Sequence, residues 1–217
     1  MHGYDVADPS RINQELGGNE WHQKFCQNLL AKDLGLVVDI VPNHMSTKCP
    51  DNVWWMNVLK YGLASPYAEY FDIHWRSFAQ MPNHRIVLPL LKDHYKKSIA
   101  RKEIQLKYNQ NIFTINYFDH LFPISPYTLI SILTNIPIHL LPKTLTTNIK
   151  KLENLYSIIA NNINKTPSYY SNLQKLEQKI LKEIQNSESL TAAAIKAIEK
   201  INKQIKKQYY GELQNSR

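Results

Sequence analysis

The chain has 217 residues, and 43% of them are hydrophobic, which is enough for one large domain or two small ones. No uninterrupted apolar stretch approaches the roughly 18 residues of a membrane span, and the N-terminus lacks the basic-then-apolar pattern of a secretory signal. We therefore expect a cytoplasmic protein without a membrane partner. Cys26 and Cys49 have no neighbouring Cys or His cluster, which indicates two reduced structural thiols rather than a disulfide or a zinc site.

The net charge of +8 is concentrated towards the C-terminus. Residues 143–217 hold 13 of the 26 Lys and Arg residues but only 6 of the 18 Asp and Glu residues. These lysines alternate with Asn, Gln and Ile, without the aromatic residues or motifs that specify a nucleic-acid module. We expect a solvated helical face and no nucleic-acid partner.

A turn and an amphipathic helix come first along the chain. Gly17 and Gly18 predict the turn, and Asn19 is placed to cap a helix that begins at Glu20. Gly35 is expected to end this helix. Its apolar residues recur at steps of three and four, as on one face of a helix: Phe25, Leu29, Leu30 and Leu34.

The next element, residues 36–41, is a valine-rich apolar run that predicts a strand buried on both faces of a parallel sheet. Helix, glycine and buried strand form the second half of a βαβ unit, and functional groups gather at the carboxyl ends of such strands. Asn43 and His44 fall at this end. Asp39 lies inside the apolar run, where a buried carboxylate needs a polar partner or has a functional role.

The middle of the chain has the alternating pattern of half-exposed strands. Residues 85–89 and 103–108 alternate charged and apolar side chains. Residues 109–111 form a plausible turn into 112–117, which predicts a β-hairpin.

From about Lys143 onward the pattern is helical. Two apolar stripes are separated by residues 186–189, so we expect a helical hairpin. A coiled-coil surface is the alternative, but each stripe is shorter than three heptads. The first stripe contains Leu173, Leu176, Ile180 and Ile184, and the second contains Ile195, Ile198, Ile201 and Ile205.

Two segments carry a family resemblance. Residues 2–13, His-Gly-Tyr-Asp-Val-Ala-Asp-Pro-Ser-Arg-Ile-Asn, are similar to the loop after the second barrel strand of the α-amylase superfamily (glycoside hydrolase family 13). Residues 39–45, Asp-Ile-Val-Pro-Asn-His-Met, resemble the first signature region of that superfamily. Together with Trp-Trp-Met-Asn-Val-Leu at residues 54–59 and Phe-Asp-Ile-His-Trp at 71–75, they resemble its trehalose-forming branch, the maltooligosyltrehalose synthases.

The resemblance implies an α/β fold, namely a fragment of a (β/α)8 TIM barrel around its second and third strands. Residues 1–48 would be the barrel part, residues 49–142 an inserted α+β subdomain of the B type, and residues 143–217 the helical part of the insertion. The first strand would precede His2.

The implied reaction is an intramolecular transglucosylation, which turns the reducing-end α-1,4 bond of a maltooligosaccharide into the α-1,1 bond of trehalose. Such enzymes need no cofactor and no metal. They follow the retaining mechanism, in which one carboxylate attacks the anomeric carbon and a carboxylic acid protonates the leaving oxygen. The expected partner is a maltooligosaccharide.

The resemblance also implies roles for individual residues. Tyr4 would stack its ring on the sugar that is attacked, and His44 would hydrogen-bond a hydroxyl of that sugar. Asp39 and Asn43 would support the geometry of the loop. Weaker candidates for substrate contact are His2, Asp5, Trp54 and Trp55, and for the two tryptophans packing in a core is an equal alternative.

The chain departs from the family at the catalytic carboxylates. The nucleophile motif Gly-x-Arg-x-Asp is absent, and Asp119-His120 copies only its tail. We therefore expect no catalytic residue within this chain. The nucleophile and acid/base would lie beyond residue 217, and the missing remainder of a split enzyme would be a partner. The chain alone would be inactive.

Three other functions stay open at this point. The chain could derive from an α-1,4-glucan hydrolase of the same superfamily, or it could be a non-catalytic carbohydrate-binding remnant that uses Tyr4, Trp54 and Trp55. The third is a basic interaction protein built on residues 143–217, which would show salt-sensitive nucleic-acid binding.

Overall fold

The computed structural model describes residues 3–75, 86–161 and 167–214. The chain divides into two compact units, Met1–Val53 and Trp54–Arg217. Within the described ranges, every helix is too short or too polar to cross a membrane.

The first unit contains a short 3₁₀ helix, Gln14–Leu16, and helix α1, Gly18–Leu30. Gly17 separates them in a left-handed conformation with φ of 93°, and a Cβ atom there would meet the Trp21 side chain. Glycine is the residue that adopts this conformation without strain. The predicted start at Glu20 was wrong, because Gly17 takes the N-cap position and Asn19 lies in the first helical turn.

The end of α1 also differs from the prediction. Asp33, with φ of 55°, ends the helical turn, whereas Gly35 was expected to do so. The Leu34 amide donates to the Leu29 carbonyl at 2.9 Å, and the Asp33 amide donates to the Leu30 carbonyl at 3.1 Å. This is the pair of hydrogen bonds of a Schellman motif, which satisfies carbonyls at the end of a helix.

Residues 36–41 form no strand, which corrects the prediction of a buried parallel strand. Val37 is 95% exposed and Ile40 is 71% exposed. A strand is stable only when neighbours satisfy its backbone groups, and the sheet found in the described residues is built from other segments. The first unit therefore does not show the parallel strands of a barrel.

The second unit contains helix α2, Val53–Tyr61, from its second residue onward, and helix α3, Tyr95–Ala100. A three-stranded antiparallel sheet follows, in the order β1-β2-β3. Its strands are β1, Ile104–Asn109, β2, Ile112–Tyr117, and β3, His120–Pro123.

The predicted hairpin is confirmed, since β1 pairs with β2 from Ile104 opposite Tyr117 to Asn109 opposite Ile112. Gln110 and Asn111 make the turn with φ of 49° and 63°, as a two-residue turn of the I′ type requires. Residues 86–88 form no strand, contrary to prediction, while Arg85 lies outside the described residues.

Four helices complete the second unit: α4, Pro126–Thr134, α5, Lys143–Asn161, α6, Pro167–Gln185, and α7, Glu188–Gln214. Ser125 caps α4, because its hydroxyl accepts from the Thr128 amide at 3.2 Å. The predicted helical hairpin is confirmed as α6 and α7. Leu129, Leu145 and Ile180 are fully buried in a core that these helices share with the sheet.

The apolar face of α7 differs in part from the prediction. Ile198 is buried and Ile201 packs against the core, but Ile195 is 39% exposed. Ala194 and Ala197 lie in the core instead. Small side chains let the helix approach its neighbours closely, so the buried face follows the alanines as well as the isoleucines.

Candidate functional site

The two motif segments of the first unit lie side by side. The Tyr4 hydroxyl donates to Asp39 Oδ2 at 3.1 Å, although the two residues are 35 positions apart. The Ser46 amide donates to the Val6 carbonyl at 2.9 Å and holds the same segments together further along. The structure therefore brings Tyr4 and Asp39 together, and the roles that the resemblance implies for them stay predictions.

His44 lies between two of the other predicted residues. Its Nδ1 is 3.1 Å from Asn43 Oδ1, and its Nε2 is 4.0 Å from Asp5 Oδ1. An amide oxygen only accepts, so this contact is a hydrogen bond in the tautomer whose proton is on His44 Nδ1. In the neutral imidazole, Nε2 is then an acceptor that can receive a hydrogen bond from a hydroxyl.

These side chains are open to solvent. Tyr4 is 50% exposed, and the His44 and Asp5 side chains are 48% and 56% exposed. Asp39 is also exposed, which corrects the prediction that its carboxylate is buried in a strand. A ring face, an imidazole and carboxylates on an open surface can together bind a ligand that carries hydroxyl groups and a C–H face.

The loop that follows Asp5 is ordered by its own side chains. Asp8 Oδ1 accepts from the Ser10 amide at 2.9 Å and from the Ser10 hydroxyl, and Asp8 Oδ2 accepts from Arg11 Nε at 2.6 Å. The Ser10 hydrogen bonds, followed by the Arg11 contact, lower the pKa of Asp8. The Asp8 carboxylate therefore stays charged at neutral pH and fixes the turn.

The remaining weaker candidates behave differently. His2 lies outside the described residues. Trp55, in the second unit, is 7% exposed and contacts the Phe71 ring at 5.0 Å between centroids, which is core packing. Trp54 is half-buried, stacks on Tyr67 at 5.8 Å and meets the edge of Tyr70 at 5.4 Å.

A second polar cluster was not predicted from the sequence. Glu177 on α6 is 3% exposed, accepts from the Tyr61 hydroxyl at 2.5 Å and pairs with Lys60 Nζ at 2.7 Å. Burial, and then the nearby Glu177 charge, raise the pKa of Tyr61 far above its usual range. Because Lys60 and Tyr61 end α2, this cluster fastens α2 to α6. No periodicity marks such a contact in the sequence.

The described residues include no group of three His, Cys, Asp or Glu side chains close enough to hold a metal ion. Cys26 and Cys49 are free thiols, and Cys49 is buried.

Comparisons with known proteins assign the first half of the chain to a family. The sequence profile described as "Alpha amylase, catalytic domain" matches residues 1–123. Two Mycobacterium tuberculosis proteins, from strains CDC 1551 and H37Rv, carry the name "Putative maltooligosyl trehalose synthase". Each is 45% identical to the chain over 91 residues, which cover 42% of this chain and 11% of the relative.

A third relative is the intracellular maltogenic amylase of Bacillus subtilis strain 168. It is 29% identical over 120 residues, which cover 54% of this chain and 19% of the relative. The chain thus spans a small part of the length of the curated relatives that it matches. No solved structure matches the chain.

Proposed function

We propose a function from the premise that this chain belongs to the α-amylase catalytic-domain family, whose profile matches residues 1–123. Its family-level activity is on glycosidic bonds. We infer that the chain supplies one wall of a glucan subsite in a cytoplasmic maltooligosyltrehalose synthase. The substrate would be a maltooligosaccharide whose reducing-end α-1,4 bond becomes an α-1,1 bond.

One observation carries this inference, namely the hydrogen bond between Tyr4 and Asp39 at 3.1 Å. It joins the two segments that carry the family resemblance, and it leaves the Tyr4 ring half exposed. The 45% identity to the two mycobacterial relatives supports the choice of branch.

Tyr4 and His44 are proposed to contact the sugar directly. The Tyr4 ring offers an apolar platform to the C–H face of a pyranose, and its hydroxyl stays bound to Asp39. His44 Nε2 is proposed to accept from a sugar hydroxyl, because Nδ1 is engaged with Asn43. Asp39 and Asn43 are positioning residues, since each holds the side chain that meets the sugar.

We assign substrate binding to this cluster and the bond-breaking step to other carboxylates. A retaining mechanism needs a nucleophile and an acid/base about 5–5.5 Å apart on either side of the scissile bond. Asp39 is engaged with Tyr4, and Asp5 lies at 4.0 Å from His44. Neither stands in the Gly-x-Arg-x-Asp context of the superfamily nucleophile.

A chimaera tests this function. Residues 1–123 of this chain would replace the corresponding segment of one Mycobacterium tuberculosis relative, and the purified chimaera would be incubated with maltopentaose. We expect reducing ends to disappear without release of maltose or glucose, because isomerisation conserves chain length. Tyr4→Ala in the chimaera should lower the rate at least about tenfold.

Hydrolysis is the second candidate function, and the match to the maltogenic amylase of Bacillus subtilis favours it. In that case the same incubation would multiply reducing ends and shorten the glucan. A folded chimaera that neither isomerises nor hydrolyses maltopentaose would contradict both functions.

A further inference from the structure

The second unit has a groove of about 440 Å³ between α5 and α6, which we call the α5–α6 groove. This volume lies within the range of small-molecule sites. The lining residues come from both helices: Asn148, Lys151, Asn154, Leu155 and Ile158 of α5, and Asn172, Lys175, Leu176 and Lys179 of α6.

Three lysines give the groove a single sign of charge. Lys151 comes from α5, and Lys175 and Lys179 come from α6, while no Asp or Glu is among the described lining residues. Lys175 and Lys179 are four positions apart on one helix, where like charges repel. Within the described ranges, none of the three forms an ion pair. An anion in the groove would offset this repulsion.

Three asparagines add hydrogen-bonding groups to the groove. The carboxamides of Asn148, Asn154 and Asn172 have no hydrogen-bond partner in the part of the chain that the structure describes. A carboxamide both donates and accepts, whereas a phosphate oxygen only accepts. A ligand that carries hydroxyl groups besides its anionic group would use the full capacity of these side chains.

The floor of the groove is aliphatic. Leu155 and Leu176 are half-buried and pack against the core, and Ile158 is 40% exposed. None of the described residues that line the groove is aromatic. Nucleic-acid bases bind by stacking on aromatic rings, so this floor suits a saturated C–H face better than a base.

We propose that the α5–α6 groove binds a sugar phosphate. The ammonium groups of Lys151, Lys175 and Lys179 hold the phosphate, and the asparagines hydrogen-bond the sugar hydroxyls. Leu155 and Leu176 pack against the C–H face of the ring. This site is independent of the Tyr4 cluster and does not rest on the function proposed for it.

Calorimetric titration of the full chain with glucose 6-phosphate at low salt tests the site. We expect saturable binding that Lys151→Gln, Lys175→Gln and Lys179→Gln together weaken at least about tenfold. The matched control removes three exposed lysines of α7 outside the groove, with Lys196→Gln, Lys200→Gln and Lys207→Gln. It should leave the affinity within about twofold.

Two further arms test the ligand class. Asn154→Ala with Asn172→Ala should weaken glucose 6-phosphate binding at least about threefold and leave inorganic phosphate binding unchanged, because only the sugar meets the carboxamides. Glucose without its phosphate should bind at least about tenfold more weakly than glucose 6-phosphate.

Several outcomes would overturn the site. These are no binding of glucose 6-phosphate by the wild-type chain, equal losses in the groove and control lysine variants, or inorganic phosphate binding as tightly as the sugar phosphate. Lysine-dependent binding of a single-stranded RNA oligomer that excludes glucose 6-phosphate would overturn it as well. Circular dichroism melting curves of each variant show whether a loss of binding reflects a loss of fold.

Discussion

Tyr4 and Asp39 are joined by a 3.1 Å hydrogen bond between the phenol hydroxyl and Oδ2. Both side chains are exposed, so the bond is formed at the surface of the first unit. It connects a tyrosine near the start of the chain to a carboxylate in the segment before Pro42. The half-exposed ring of Tyr4 is the proposed platform for the sugar.

A double-mutant cycle measures this link. Tyr4→Phe removes the hydroxyl and keeps the ring, and Asp39→Ala removes the acceptor. We expect a coupling free energy of about 0.5 kcal/mol in urea denaturation, at the low end for a hydrogen bond because water competes at the surface. Strictly additive effects of the two changes would show that the two segments are held together by other contacts.

The buried Glu177 should matter far more for stability. It accepts from Tyr61 and pairs with Lys60, and Glu177→Ala would leave a phenol and an ammonium without this partner. We expect a loss of about 2–3 kcal/mol in the free energy of unfolding, measured by urea denaturation.

Glu153→Ala on α5 is the control for that change, since Glu153 is exposed. It should alter the free energy of unfolding by no more than about 0.5 kcal/mol. Similar effects of the two substitutions would mean that Glu177 does not fasten α2 to α6.

Asn202 on α7 completes the outer edge of β1. Its side-chain amide donates to the Leu106 carbonyl at 2.9 Å, and its side-chain oxygen accepts from the Leu106 amide at 3.0 Å. Asn202→Ala should therefore cost about 2 kcal/mol in the free energy of unfolding, since two partly buried backbone groups lose their partners. Gln204→Ala, at an exposed position nearby, should cost less than about 0.5 kcal/mol, and equal costs would refute the role of Asn202.

The sequence predicts the β1–β2 hairpin because the residues that determine the hairpin are close together in the chain. Alternating side chains on both strands and a turn at Gln110 and Asn111 lie within a few residues of one another. Residues 36–41 have an equally clear strand composition, yet they form none. A strand in a parallel sheet depends on distant partners, and apolar composition alone provides no hydrogen bonds.

The two cysteines should differ in reactivity. Cys49 is 1% exposed, and burial raises its pKa to about 11 from the ordinary 9.0. At pH 8 only about one part in a thousand is thiolate, so labelling by iodoacetamide should require unfolding, whereas the half-buried Cys26 should react in the folded protein.

The same shift gives a pH dependence of stability. Because the pKa of Cys49 is higher in the folded than in the unfolded chain, the contribution of this thiol to the free energy of unfolding is complete below pH 9 and is lost as the pH rises towards 11.

Mass spectrometry of labelled peptides with and without urea distinguishes the two thiols. Rapid labelling of Cys49 in the folded chain would contradict its burial.

Motif resemblance predicts which residues belong to the candidate site, and their roles in it stay predictions. Tyr4, Asp5, Asp39, Asn43 and His44 were named from motif resemblance, and the structure brings them together in one unit. The exposure of Asp39 could not be predicted, because the apolar composition of residues 36–41 around it indicates burial. The packing of Trp54 against Tyr67 and Tyr70 is not predicted from the sequence, because isolated tyrosines around a short 3₁₀ helix carry no periodic pattern.

Binding of maltopentaose to the full chain, measured by saturation-transfer NMR, tests the glucan subsite most directly. The wild-type chain should bind, and Tyr4→Ala should abolish the transfer signal because the sugar platform is lost. Tyr127→Ala serves as the matched control, since Tyr127 is 60% exposed on α4 and Tyr4 is 50% exposed, and it should leave the signal unchanged. No signal with the wild-type chain, or equal signals from wild type and Tyr4→Ala, would contradict a sugar-binding role for Tyr4.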